Sequence, residues 1–101
     1  MSMEGNYAWE KLHIAVLILA GGTGTLQERL ADAYLSSLMR LRPDKHFPWP
    51  DLRQDFEDMM QELAPGGNTQ AALSAWPDED LRRIAEGIVG LCDRVLRKTT
   101  G

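Results

Sequence analysis

The sequence contains one cysteine, Cys92, and only two histidines among its 101 residues. A single cysteine cannot form a disulfide within the chain, and the histidines do not fall near it at the short spacings of metal ligands. The sequence therefore predicts no structural metal and no cofactor. The scarcity of cysteine also favours a reducing compartment, which we take to be the cytoplasm.

Positive charge is also scarce, because 11 Lys and Arg residues face 15 Asp and Glu residues, for a net charge of −4. Nucleic acids and anionic lipid surfaces select clusters of excess Lys and Arg. The longest apolar run, residues 14–20, is far shorter than the roughly 20 apolar residues that a membrane-spanning helix needs. The composition therefore disfavours nucleic acid and membranes as partners.

Hydrophobic residues make up 44% of the chain, which is enough for one core but not for two. These residues recur mostly at steps of three and four, which indicates helices. We expect a single all-α domain, a compact bundle of four major helices and one short helix. Residues 1–5 are expected to lie outside the folded part, and residues 98–101 to form a frayed tail.

The first predicted helix runs from Tyr7 to Ala20, and its apolar residues continue almost all round the helix. Its predicted inner stripe consists of Trp9, Leu12, Val16, Leu19 and Ala20. A strand is the alternative, since Ile14, Val16 and Ile18 are β-branched and alternate. Helices that are apolar all round are normally buried. We therefore place this helix at the centre of the bundle, or against a second copy in an oligomer.

The remaining helices follow from apolar spacing and from the positions of proline and glycine. The predicted elements are a second helix over 26–41, a stiff proline connector over 42–50, a third helix over 50–64, a short helix over 70–76, and a last helix from residue 77. In the last helix, Gly87 and Gly90 are expected to allow the close approach of another helix. We expect the first and last helices to pack centrally.

A glycine-rich segment joins the first two predicted helices. Gly21 and Gly22 are expected to end the first helix with positive φ angles, and Thr25 with Glu28 matches a capping box for the second. These features predict an elbow between two helices.

The same segment, Leu17-Ile18-Leu19-Ala20-Gly21-Gly22-Thr23-Gly24-Thr25, is similar to the triphosphate-binding loop of sugar-phosphate nucleotidyltransferases. The resemblance implies a strand before the loop, an Arg-Leu pair after the threonine and a nearby Pro-Lys pair. Here Leu26-Gln27 follows, and no βαβ pattern appears later in the chain. The elbow is therefore favoured, and phosphate or nucleotide binding at Gly21–Thr25 stays an alternative.

A second resemblance lies in Arg40-Leu41-Arg42-Pro43-Asp44-Lys45-His46, where Arg40 and His46 are spaced as in the RNA-cleaving motif of HEPN-type helical ribonucleases. In such a pair the histidine moves a proton and the arginine holds the phosphate. In that family the pair lies at a helix start, whereas here it spans a helix end and a proline loop. A ribonuclease that uses Arg40 and His46 is a further alternative.

Two aromatic residues, Phe47 and Trp49, lie in the proline connector between Arg42 and Arg53. Exposed there, they would form an apolar patch suited to a protein partner, since Trp and Arg are frequent at interface centres. The alternative is that Phe47 or Trp49 folds back against Phe56 or Arg53. We take these four residues as a candidate partner-binding site, and we assign no catalytic residue. The function expected from sequence is a small non-enzymatic interaction or regulatory module that binds a protein partner or forms a homodimer.

Overall fold

A computed structural model of the protein describes residues 3–65 and 75–100. The elements in these ranges are α1 (Met3–Gly21), α2 (Leu26–Ser36), the 3₁₀ helix η1 (Leu38–Arg40), α3 (Pro43–His46), α4 (Pro50–Leu63) and α5 (Asp78–Thr100). The described ranges contain no strand, and the prediction of an all-α bundle with four major helices is confirmed. The short helix predicted at 70–76 lies outside the described residues except for Ala75 and Trp76, which form a turn and a bend.

The apolar segment before the glycines is helical, as predicted, and α1 is longer than expected because it includes residues 3–5. Its buried side, however, differs from the predicted stripe. The residues of α1 that bury more than nine-tenths of their surface are Ala8, Leu12, Ala15 and Leu19. Small side chains at two of these four positions allow neighbouring helices to approach closely. The buried side of α1 is therefore centred on these four residues, and Val16 and Ala20 lie at its edge.

The second helix was predicted to reach residue 41, but α2 ends at Ser36 and the chain continues as η1. Ser37, at the break, is fully buried, and its hydroxyl donates a 2.6 Å hydrogen bond to the carbonyl oxygen of Lys11 in α1. This bond ties the break to α1. Leu38 and Leu41 still reach the core beyond it.

The connector also differs from the prediction, because residues 43–46 form the single-turn helix α3. Pro43 occupies the first turn, where its missing N–H removes no hydrogen bond. Arg42 and Trp49, each followed by proline, have extended backbone angles, as the steric rule for such residues requires. The connector is thus a helical turn between two extended residues.

The last helix, α5, follows the predicted pattern closely. Its buried residues, which recur at the three- and four-residue steps of one helix side, are Leu81, Ile84, Ile88, Leu91, Cys92 and Val95. Acidic residues occupy its first turn and Arg97 and Lys98 its last, as the helix dipole favours, and the helix continues through residue 100. The helices α1 and α5 make the most extensive contact in the fold, which places both centrally as expected.

The glycines of the elbow serve by their small size rather than by positive φ angles, which neither Gly21 nor Gly22 adopts. A Cβ atom on Gly22 would lie 2.8 Å from the carbonyl oxygen of Ile18 and 2.7 Å from Cγ of Arg29. A Cβ atom on Gly21 would meet no described atom within 4 Å. Of these two glycines only Gly22 is therefore required by packing, and the predicted positive φ angles were wrong.

The difference in packing between Gly22 and Gly21 predicts a loss of stability for a substitution at the first and almost no change for one at the second. We expect Gly22→Ala to lower the free energy of unfolding by about 1 kcal/mol, because the backbone oxygen of Ile18 cannot move without disturbing α1. Gly21→Ala, the matched control, should change it by less than about 0.5 kcal/mol. Urea unfolding followed by circular dichroism measures both values. Equal losses for the two variants would contradict this account of the elbow.

Candidate functional site

The glycine loop was the first candidate site, and the structure places it between two helices rather than after a strand. Thr25 caps α2, since its hydroxyl oxygen accepts a hydrogen bond from the amide of Glu28 at 3.1 Å. The same hydroxyl lies 3.3 Å from the Glu28 carboxylate, to which it donates. A Cβ atom on Gly24 would be 2.7 Å from the other carboxylate oxygen of Glu28. The start of α2, where an anion would bind, therefore already carries a carboxylate of the chain itself.

Arg29 holds the loop in place from the first turn of α2. Its guanidinium donates to the carbonyl oxygen of Leu19 at 2.5 Å and to that of Gly24 at 3.1 Å. The first of these carbonyls belongs to the last turn of α1, where no further helical N–H is available. Arg29 therefore fastens the end of α1 to the start of α2. This role of Arg29 could not be predicted from the sequence, because it depends on how the elbow folds.

Arg40 and His46, the candidate ribonuclease pair, lie at the ends of η1 and α3. Arg40 is exposed, and its Nε donates to the carbonyl oxygen of Ser36 at 3.3 Å. His46 accepts a 2.9 Å hydrogen bond at Nδ1 from the amide of Arg42, and its ring lies 4.4 Å from the ring of Tyr7 in α1. Both side chains thus take part in local structure at helix ends. Ribonuclease activity stays a prediction.

The candidate patch of connector aromatics is only partly at the surface. Phe47 is fully buried and stacks on Phe56 with ring centroids 4.6 Å apart, while Trp49 is half-buried at its edge. Arg53 donates a 3.0 Å hydrogen bond from Nε to the carbonyl oxygen of Phe47. Of the two alternatives drawn from the sequence, Phe47 follows the one in which it folds back against Phe56, and it is not part of an exposed patch. Arg42 is exposed, so a partner at this place could contact Arg42 and Trp49 but not Phe47.

Acidic side chains of α4 connect it to α5 through ion pairs. Asp55 lies 2.6 Å from Arg94, and Glu62 lies 2.8 Å from Arg83. The hydrogen bond to Glu62 raises the pKa of the Arg83 guanidinium above its ordinary value. Nearby in α5, burial raises the pKa of the Cys92 thiol, with a smaller contribution from Asp93. A buried thiol with a raised pKa forms little of the reactive thiolate.

An apolar groove between α1, α2 and α5 is the feature that the sequence did not reveal. Its volume is about 490 Å³, and it is lined by Val16, Leu19, Ala20, Leu26, Arg29, Ala85, Glu86, Val89 and Gly90. We call it the α1/α5 groove. Val89 is 48% exposed on one side of it, and on α1 the neighbouring Leu17 is 55% exposed. A groove with a contiguous apolar lining marks an interaction surface more often than single scattered apolar residues do.

Gly87 and Gly90 were predicted to allow another helix to approach α5 closely, and no helix of the described residues does so at these two glycines. Both are exposed, and a Cβ atom on either would meet no described atom within 4 Å. No helix of the described ranges therefore approaches α5 closely at these positions. Gly90 instead forms part of the α1/α5 groove, and Gly87 borders a separate groove beside the ion pairs to α4.

The described residues contain no group of three or more His, Cys, Asp and Glu side chains that could hold a metal ion. None of the helices in residues 3–65 and 75–100 combines the length and the apolar character needed to cross a membrane. No protein-family model, curated protein or solved structure matches this chain. The proposal for its function therefore depends on the surface of the molecule itself.

Proposed function

We propose that this protein is a small non-enzymatic interaction module whose contact surface is the α1/α5 groove. The observation that supports this proposal is a groove of about 490 Å³ with a mainly apolar lining, in which Val89 is 48% exposed, while Leu17, next to the lining residue Val16 on α1, is 55% exposed. Covering such a surface gains roughly 25 cal/mol for each Å² of apolar area removed from water. A partner that fills the groove would therefore be favoured.

Two charged residues, Arg29 and Glu86, are among those that line the groove, and the rest of its lining is apolar or glycine. Arg29 lies on its wall, but its guanidinium is bound to two backbone carbonyl groups. Glu86 is exposed at the rim and has no ion-pair partner among the described residues. A contact with an apolar centre and charged groups at its edge is the usual arrangement of a protein interface.

Affinity capture with a matched pair of variants tests the proposal. The tagged protein carries either Val89→Asp, which places a charge in the groove, or Leu35→Asp, which places one on α2 at a leucine that is 50% exposed. We expect at least one captured protein to be recovered at least tenfold less with Val89→Asp. The untagged form of this chain counts as such a protein. The Leu35→Asp variant should recover it normally.

Two results of this experiment would contradict the proposal. In the first, no recovered protein depends on Val89. In the second, both variants lose the same proteins, which would indicate a general effect of added charge. Far-ultraviolet circular dichroism of each variant shows that the helices are retained, so that a loss of binding is not a loss of folding.

A further inference from the structure

We infer that the α1/α5 groove is covered by a second copy of this chain, with the two copies related by a two-fold axis and their α5 helices antiparallel. This inference rests on the proposed function and names the partner. Three features of the described residues support it, namely the adjacency of a projecting side chain and a groove, the size of the surface, and the order of charges along α5.

The first feature is an exposed leucine, Leu17, on the helix that forms one wall of the groove. Leu17 is 55% exposed and neighbours Val16, which lines the groove on the same helix. A two-fold axis brings the same patch of both copies together, so every contact between two residues of the patch occurs twice, once in each direction. Each Leu17 can therefore enter the groove of the partner, and α1 then buries a second side, as a helix that is apolar all round requires.

The second feature is size. The helices α1 and α5 have 19 and 23 residues. Side by side, they form a surface about 30 Å long and about 20 Å wide. A standard interface buries about 800 Å² on each partner, or about one seventh of the 5901 Å² exposed here. The paired helices, together with the start of α2 that also lines the groove, therefore approach the area of a standard interface.

The third feature is the pattern of charge on α5. Arg82 and Asp93 lie seven residues before and four residues after Val89, which places all three on one side of the helix. Both are exposed. Arg82 has no ion-pair partner among the described residues, whereas Asp93 forms a 3.0 Å ion pair with Arg97 of its own helix, which the partner's Arg82 would join. They also lie at equal distances from the point between Gly87 and Ile88. A two-fold axis at that point therefore brings Arg82 opposite the partner's Asp93.

The same axis brings Asp78 opposite the partner's Arg97, and it places no two like charges of α5 opposite each other. An axis between Val89 and Gly90 would instead set Arg82 against the partner's Arg97 and Glu86 against the partner's Asp93. Like charges held opposite each other in an interface are unfavourable. The charges therefore favour the antiparallel arrangement centred between Gly87 and Ile88 over the one centred between Val89 and Gly90.

Light scattering during size-exclusion chromatography tests for the dimer. We expect the wild type at about 100 μM to elute with twice the monomer mass of 11.3 kDa. Val89→Asp and Leu17→Asp should each raise the dimer dissociation constant at least tenfold, because each buries a charge in the contact. Leu35→Asp should leave the mass unchanged. The two variants of the groove test the contact independently, and circular dichroism confirms that each is folded.

Charge exchange tests the arrangement of the two copies. Arg82→Asp and Asp93→Arg should each weaken the dimer at least threefold at low ionic strength, and the double variant should return the dissociation constant to within about twofold of the wild type. The weakening should diminish at 1 M salt, where exposed charges are screened. Failure of the double variant to recover would overturn the antiparallel arrangement.

A wild type that stays monomeric at every concentration would overturn the inference, and so would a dimer that Val89→Asp and Leu17→Asp leave intact. These results differ from a failure of the proposed function. If a different protein is still captured in a Val89-dependent manner while the chain is monomeric, the function stands and the second copy is excluded. If neither self-association nor capture depends on Val89, both proposals fall.

Discussion

Phe47→Ala is expected to lower the free energy of unfolding by about 3–5 kcal/mol, the range for removing a buried aromatic ring from a core. Phe47 is fully buried and stacked on Phe56, and the cavity left by the ring would lie between α3 and α4. For a chain of 101 residues this loss is a large part of the total stability. Thermal and urea unfolding, followed by circular dichroism, measure the change.

Trp49→Ala is the natural control, since Trp49 lies two residues away and is half-buried. It should cost about 1–2 kcal/mol, because its ring touches the edge of Phe47 at a centroid distance of 6.5 Å but keeps one side in solvent. A larger loss of stability for Trp49→Ala than for Phe47→Ala would contradict this packing of the two rings.

The same variant also bears on binding. A loss of partner binding in folded Trp49→Ala would support the contact site predicted around Arg42 and Trp49.

Arg29→Ala is expected to cost about 2 kcal/mol, since it removes two hydrogen bonds from a charged donor to backbone carbonyl groups at the elbow. The hydrogen bond from Arg29 to the carbonyl oxygen of Leu19 is partly buried at the end of α1. We therefore expect its removal to cost more stability than the removal of a fully exposed hydrogen bond. Arg29→Lys should recover only part of this energy, because one ammonium group cannot reach both oxygens as the planar guanidinium does. Urea unfolding measures both variants.

Arg40→Ala provides the comparison for Arg29. Arg40 is exposed and makes one long hydrogen bond of 3.3 Å to the backbone of its own segment, so its removal should change stability by less than about 0.5 kcal/mol. Similar losses for Arg29→Ala and Arg40→Ala would show that the elbow is not fastened by Arg29. The comparison also separates this effect from the general loss of one positive charge.

The sequence predicted α5 well and the inner side of α1 poorly, and the reason is physical. In α5 the polar residues occupy the side opposite the core, so only one orientation buries the apolar ones. In α1 apolar residues lie on every side, and spacing alone could not distinguish Val16 from Ala15 as the residue that faces inward. Contacts with the other helices decide the orientation, and a single segment does not contain that information.

Long-range contacts also account for the other differences from the sequence-based predictions. The end of α2 depends on Ser37, whose hydrogen-bond partner Lys11 is 26 residues away along the chain. The burial of Phe47 depends on Phe56, and both outcomes had been considered for this residue. The α1/α5 groove requires residues from three helices, so no local motif could have indicated it.

The two exposed glycines of α5 also bear on what stabilises the middle of this helix. Glycine within a helix costs about 1 kcal/mol relative to alanine, and neither Gly87 nor Gly90 has a described neighbour whose packing would compensate. The packing of Ile84, Ile88 and Leu91 in the core offsets this cost, so the middle turns of α5 depend on tertiary contacts rather than on helix propensity. The longest helix of the described residues is thus held at its centre by the core rather than by its own sequence.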